Sequence, residues 1–120
     1  MTDGWDAGMV FFVGDAGAAI DFYVDKLGFT LNWRHDEGGR THAAGVSRGD
    51  LSLLLHANQP ERVGKGVLYF GFGAEMFDGI RANLQARGVA LKDGWWGKRL
   101  MIVEDPSGNQ LWFADPHDRG

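Results

Sequence analysis

The sequence contains no cysteine, only three prolines and no basic run longer than the pair Lys98-Arg99. Without thiols the chain can form no disulfide, no thiolate zinc site and no cysteine nucleophile, an absence consistent with the cytoplasm. Without a basic stretch, and with a formal net charge of −4, no surface suited to tracking phosphates is visible, so nucleic acid is not an expected partner. Long hydrophobic runs are missing as well. The N-terminal "MVFFV" follows Asp3 and Asp6 and has neither the basic start nor the length of a signal peptide or membrane span, so neither export nor a membrane is expected. No Ser/His/Asp set, phosphate loop or pair of catalytic carboxylates can be assembled, and "GFGAEM" (71–76) lacks the third glycine of a dinucleotide loop.

What is present describes an ordinary globular chain: 120 residues, 44% hydrophobic and 23% charged, read as a single domain over 1–120. A chain of that size buries roughly two thirds of its unfolded surface. Most of the 19 glycines fall between apolar runs, as turn and cap positions do. "GMVFFV" (8–13) reads as a strand. A helix follows, with Asp15 as N-cap, Ala19, Ile20, Tyr23 and Leu27 on one face, Lys26 in the last turn and Gly28 at the left-handed C′ position. "FTLNW" (29–33), "THAAGVS" (41–47) and "LSLLLHA" (51–57) read as three strands separated by the turns "RHDEGG" and "RGD". The order then repeats: "VLYFGF" (67–72), a helical stripe at Phe77, Ile80 and Leu84 closed by Gly88, and strands at "VALK", "KRLMIVE" and "NQLWF". The expected fold class is therefore α+β, with two tandem βαβββ modules over about 8–57 and 67–114 and a linker at 58–66.

The last hairpin can be read more finely. Asp105-Pro106-Ser107-Gly108 matches the residue preferences of a type I turn. Pairing outward from it predicts Val103 opposite Gln110 and Met101 opposite Trp112, on the face of Arg99, with Leu100, Ile102, Leu111 and Phe113 on the core face. Glu104 then reads as a solvated residue beside the turn.

With the duplicated order in hand, "VGDAGAAIDFYVDKLGFTL" (13–31) and "VEDPSGNQLWFADP" (103–116) resemble the two signature stretches of the glyoxalase, bleomycin-resistance and extradiol-dioxygenase superfamily, the vicinal oxygen chelate proteins. "WGKRLMIVEDPSGNQLWF" (96–113) is similar, more narrowly, to the bleomycin-resistance branch. The resemblance implies modules that curl into incomplete barrels, with clefts holding a divalent metal or a ligand directly. It also assigns the enzymes' metal ligands to Gly8 and Val67 in the first strands, and to Leu53 or Leu54 and Trp112 in the last strands. None of these side chains can coordinate Mg²⁺, Zn²⁺ or Fe²⁺, which take oxygen or imidazole donors, so no metal and no cofactor are expected. Of the four histidines only His42 and His56 lie on strands that could be neighbours, a thin basis for a metal site.

The candidate ligand-binding residues are Phe12, Trp33, Tyr69, Trp95, Trp96, Arg99, Met101 and Trp112. Trp112 reads either as a filler of the barrel interior or as a stacking wall for a planar ligand. Trp96, with Trp95 able to exchange roles with it, meets either a ligand or a partner subunit. Trp33 is as readily core as ligand contact. Tyr69 shares the parity of Val67 and offers a hydroxyl, and Phe12 has the matching parity in the first copy. Arg99 reads as a cleft-rim guanidinium or as a solvated strand end. The expected function is a metal-free binder of bleomycin-resistance type that sequesters a flat drug or metabolite, with an acidic exterior that accommodates a cationic portion. The resemblance implies a homodimer with clefts shared between subunits. The segment "GVALKDGWWG" (88–97) is shorter than its counterpart in true resistance proteins, which counts against bleomycin itself as the ligand. The competing reading is an enzyme, a lyase, isomerase or dioxygenase using the same cleft.

Overall fold

The computed structural model describes residues 8–118; the stretch bearing Asp3 and Asp6 lies outside the described residues. Strand β1 (Met9–Phe12) leads into α1 (Ala16–Asp21), whose N-terminus is capped as expected: the Asp15 carboxylate accepts from the Ala18 N–H at 3.1 Å. The helix then widens into a π turn over Phe22–Lys26, keeping Ala19, Ile20, Tyr23 and Leu27 buried despite the change of pitch. Gly28, at φ 76°, ends it. Next come β2 (Thr30–Glu37), β3 (Arg40–Arg48) and β4 (Leu51–His56). β2 runs four residues further than the sequence suggests, because Gly38 and Gly39 both sit at positive φ and close a two-residue hairpin that Arg34, Asp36 and Thr41 brace with hydrogen bonds. The second module contains β5 (Val67–Phe70), α2 (Ala74–Ala86), β6 (Lys92–Trp95), β7 (Arg99–Glu104) and β8 (Gln110–Ala114).

Each module forms an open four-stranded sheet, ordered β1-β4-β3-β2 in the first and β5-β8-β7-β6 in the second. The first and last strands of each module pair in parallel and the remaining pairs are antiparallel. This is the expected α+β duplication. One face of each sheet joins a common apolar core that runs from Phe11, Tyr23 and Leu55 in the first module to Met101, Val103 and Leu111 in the second. The opposite faces carry exposed apolar side chains, among them Val10, Trp33 and Leu54 on the first sheet and Val67, Tyr69 and Trp96 beside the second. Among the described residues no helix is long and apolar enough to cross a membrane.

The signature turn is a clamp between modules. Asp105 and Asn109 are buried although polar, and every interaction they make explains why. The Asp105 carboxylate accepts from the Ser107 and Asn109 N–H groups at 2.9 Å each, from the Asn109 amide at 3.0 Å and from the Tyr23 hydroxyl at 3.0 Å. Asn109 also donates to the Phe12 carbonyl at 3.0 Å and accepts from the Gly66 N–H at 2.9 Å. Burial, then the charge and hydrogen bond of Asp105, push the Tyr23 phenol far above its ordinary titration range. A second exchange spans the modules at the helix ends, where Lys26 donates to the Arg87 carbonyl and Arg87 to the Asp25 carbonyl.

The same turn corrects the expected register. Gly108 donates to the Asp105 carbonyl as a type I turn requires, but Gly108 itself has φ 101° and forms a bulge, so Asp105 bonds Asn109 and Glu104 pairs with Gln110. One extra residue turns every later side chain of β8 to the other face relative to β7. Met101 therefore pairs with Phe113 and is only 1% exposed, a core residue and not part of the outer face on which it was expected. Ile102 pairs with Trp112, and Glu104 joins the outer face through Gln110.

Candidate functional site

On the outer face of the second sheet, β5 and β8 set Tyr69 beside Trp112 in register, and β7 sets Ile102 on the other side of Trp112. The turn between β6 and β7 folds Trp96 over them. Its ring lies 5.8 Å from Tyr69 and 6.5 Å from Trp112, both distances within the range of productive aromatic contact. Trp96 is nevertheless 64% exposed and Tyr69 47%. Such a cluster of rings leaves its outer faces open.

A polar relay fixes the ring of Trp112. Its indole Nε1–H donates to Gln110 at 2.9 Å, the Gln110 amide donates to Glu104 at 3.1 Å, and Lys92 lies 3.2 Å from the same Glu104 oxygen. The hydrogen bond from Gln110, followed by Lys92, holds the Glu104 carboxyl below the usual carboxylate range. Because the only polar atom of the indole is already satisfied, what Trp112 offers is its π face. The site thus combines three aromatic rings with a carboxylate that stays ionised.

The outer face of the first sheet is built differently. Phe12 meets His56 edge-on at 5.8 Å, and the Arg62 guanidinium lies 5.3 Å above the Phe12 ring. Trp33 packs over Gly45, whose missing side chain makes room for the indole. A bulge between Leu31 and Trp33 turns Trp33 to this face while Leu31 pairs with core-facing Val46.

Of the residues singled out from sequence, Tyr69, Trp96 and Trp112 thus converge on one sheet, and Phe12 and Trp33 share the outer face of the other. Trp95 and Arg99 pair with each other at the sheet's end, and strand alternation sends them to the face of Met101, away from Trp112. Glu104 and Ile102 were missed because the one-residue register error put them on the wrong face; Gln110 was already placed on the face of Trp112, and Lys92 reaches it by pairing with Ile102. Arg62 and His56 had no signal in the sequence beyond their charge and position.

The positions that the resemblance gives to metal ligands do reach the outer faces: Val67 precedes Tyr69 by two residues, Gly8 precedes Val10 by two, and exposed Leu54 pairs with Val10 while Leu53 is core. Their chemistry does not fit a cation, since Gly8, Leu54, Val67 and Trp112 present no donor. His42 hydrogen-bonds to the Glu37 carbonyl and Asn58, and it alternates to the face opposite His56, which pairs with Ala43. Among the described residues no three His, Asp or Glu side chains assemble to hold a metal ion.

The profile of the Glyoxalase/Bleomycin resistance protein/Dioxygenase superfamily matches residues 8–113. The chain belongs to this superfamily. A bleomycin resistance protein of Geobacillus stearothermophilus is 29% identical over 120 residues, covering 84% of this chain and 89% of the relative. Among solved structures, the bleomycin-binding protein of Streptomyces verticillus in complex with copper(II)-bleomycin superposes with a TM-score of 0.71 at 26% identity, covering 95% of this chain and 98% of that one. TnmS3, an antibiotic-binding protein from Streptomyces sp. CB03234, gives 0.66 at 27% identity, with 94% and 98% covered. The superfamily also contains enzymes, so membership alone does not choose between binding and catalysis.

Proposed function

We propose that this superfamily member is a metal-free binding protein that sequesters a flat, cationic antibiotic or related metabolite without chemical change. The carrying observation is the ring cluster of Tyr69, Trp96 and Trp112, in which Trp112 takes the position that the resemblance gives to a metal-binding carboxylate. Each base-sized ring stacked on an aromatic side chain contributes about 1–3 kcal/mol. The formal net charge of −4 suits a ligand with a cationic group. The named antibiotic-binding relatives support a drug-sized ligand, and the donor-free positions support binding over metal catalysis.

The assembly proposed is a homodimer in which the second sheet of one copy covers the first sheet of the other. Two exposed apolar faces on one small chain support it, since such patches usually mark an interaction surface. The Arg62 and His56 side would then close over the Trp112 side, completing a cleft. The cytoplasm is the proposed location, since a chain without cysteine draws no stability from an oxidising compartment.

Tryptophan fluorescence titrated with bleomycin and with a flat cationic acridine tests the binding reading. Saturable quenching at micromolar ligand is expected, weakened roughly tenfold by Trp112→Ala and by Trp96→Ala, since tenfold corresponds to about 1.4 kcal/mol. Absence of quenching, or quenching indifferent to both changes, rejects these rings as the walls. Metal analysis of protein purified without chelators tests the rest: stoichiometric zinc, iron or manganese would transfer the preference to a lyase or dioxygenase.

A further inference from the structure

Behind the aromatic cluster, across the backbone of the same sheet, lies a cavity of about 390 Å³. Strand alternation builds both: Tyr69 and Trp112 point outward, while Phe70 and Phe113 point back into the cavity. With Phe72 these two form a wall of nearly parallel rings, 13° to 26° apart in plane and 4.8 to 6.2 Å apart between centroids. The facing wall is α2. Phe77 and Leu84 anchor that helix in the core, but Ile80 and Met76 between and before them line the cavity, and Met76 is 58% exposed. Leu84 lines the cavity as well, and Ile80 also packs against the core, so the apolar stripe of α2 forms this wall along its length. The first module closes the remaining side with Phe29 and the turn from β3 to β4.

Water in this cavity would find few polar partners, because the inner lining is phenyl and aliphatic. Its polar lining side chains, Arg48, Asp50 and Asn83, are all exposed and so belong to the mouth, where the Arg48 guanidinium donates to the Leu27 carbonyl. We propose that this cavity is a second binding site, distinct from the Trp96 and Trp112 face, for a flat, uncharged aromatic molecule of one to three rings. Rings stacked on one another turn their edges outward, which suits edge-to-face contact with an aromatic ring; the lack of an inner polar group selects against charge, and the Asn83 amide at the mouth is placed to meet one polar substituent.

The test uses N-phenyl-1-naphthylamine, an uncharged dye that brightens on leaving water, titrated into the full chain. A saturable rise with one site per chain is expected, unchanged in Trp96→Ala and Trp112→Ala and weakened at least tenfold in Ile80→Trp, which fills the cavity. Circular dichroism establishes whether Ile80→Trp folds; if it does not, Met76→Trp, at an exposed position on the same wall, decides with the same expected loss. No saturable rise in the unaltered chain overturns the proposal. So does a rise that survives the cavity-filling variant, or one that disappears with Trp96 or Trp112. Because the Trp96 and Trp112 variants leave the cavity intact, failure of the antibiotic-binding reading and failure of this one give different results.

Discussion

Replacing Tyr23 by Phe removes one hydroxyl from the inter-module clamp and nothing else. The phenol is wholly buried and donates to Asp105 at 3.0 Å. A hydrogen bond to a carboxylate contributes about 1.5–3 kcal/mol, so Tyr23→Phe is expected to cost that much at pH 7. Against a total of about 5–15 kcal/mol for a typical domain the loss is large. The cost is capped because Asp105 keeps its bonds to Ser107 and Asn109.

The same side chain predicts an alkaline signature. Its folded-state pKa is raised above the unfolded value, so the stabilisation is fully present below about pH 10 and drains away as pH rises, since only the unfolded chain releases the proton. One such proton corresponds to a loss of about 1.4 kcal/mol by pH 11. Other groups titrate in that range too, but they are common to both proteins. Urea unfolding followed by tryptophan emission, at pH 8 and pH 11, should therefore show the gap between the parent and Tyr23→Phe shrinking by about 1.4 kcal/mol. A gap below 0.5 kcal/mol at pH 7, or one that does not change with pH, would refute the clamp as the origin of the stability.

Two further outcomes separate backbone constraint from surface chemistry. Gly64 and Gly38 both adopt positive φ, but a Cβ on Gly64 would lie 2.2 Å from the Ser107 carbonyl oxygen whereas one on Gly38 meets open space. Gly38→Ala should cost about 1–2 kcal/mol from conformation alone, and Gly64→Ala more than about 3 kcal/mol, read from urea midpoints, because backbone must also move. Glu104 should titrate by NMR below the ordinary glutamate value of about 4.3, and Gln110→Ala and Lys92→Met should each raise its midpoint. An unmoved midpoint in Gln110→Ala would show that the relay does not order the face of Trp112.

The duplication was legible in the sequence because each module repeats a period-two strand, a capped helical stripe and glycine punctuation. Those signals are local and survive folding nearly intact. Positions of side chains across the last hairpin were not, since they depend on whether Gly108 ends the turn or adds a bulge, and type I turn preferences are the same in both cases. Counting one residue short placed Met101 outside, when it is core, and put Glu104, exposed beside the turn as expected, on the face opposite Gln110 when the two pair and hydrogen-bond. The bulge at Trp33 is a second case: strict alternation from Leu31 gives the wrong face, and only the space above Gly45 shows where the indole goes. The clamp itself left a trace, since two polar residues, Asp105 and Asn109, flank the turn between apolar strands. Their partners, however, lie more than 80 residues away in Tyr23 and Phe12.

Within ten residues the last hairpin serves two faces that should respond to mutation separately. Asp105 and Asn109 point into the seam between modules, and Glu104, Gln110 and Trp112 point to the outer face, with Leu111 and Phe113 in the core between them. Asn109→Ala would leave the Gly66 N–H without its partner and take one donor each from the Phe12 carbonyl, which keeps the Gly64 N–H, and from the Asp105 carboxylate; it is expected to cost more than Tyr23→Phe, since three bonds are lost and an unpaired group carries a desolvation penalty of about 1–3 kcal/mol. Its folded fraction should still bind ligand with parental affinity, because no atom of the outer face is changed. Trp112→Ala should weaken binding, with a smaller fall in urea midpoint than Asn109→Ala because its site is only half-buried. If affinity measured on folded Asn109→Ala falls as steeply as in Trp112→Ala, the two faces are mechanically coupled through the strand. The outer face would then be a shape held by the clamp, and the division of labour drawn from strand alternation would be wrong.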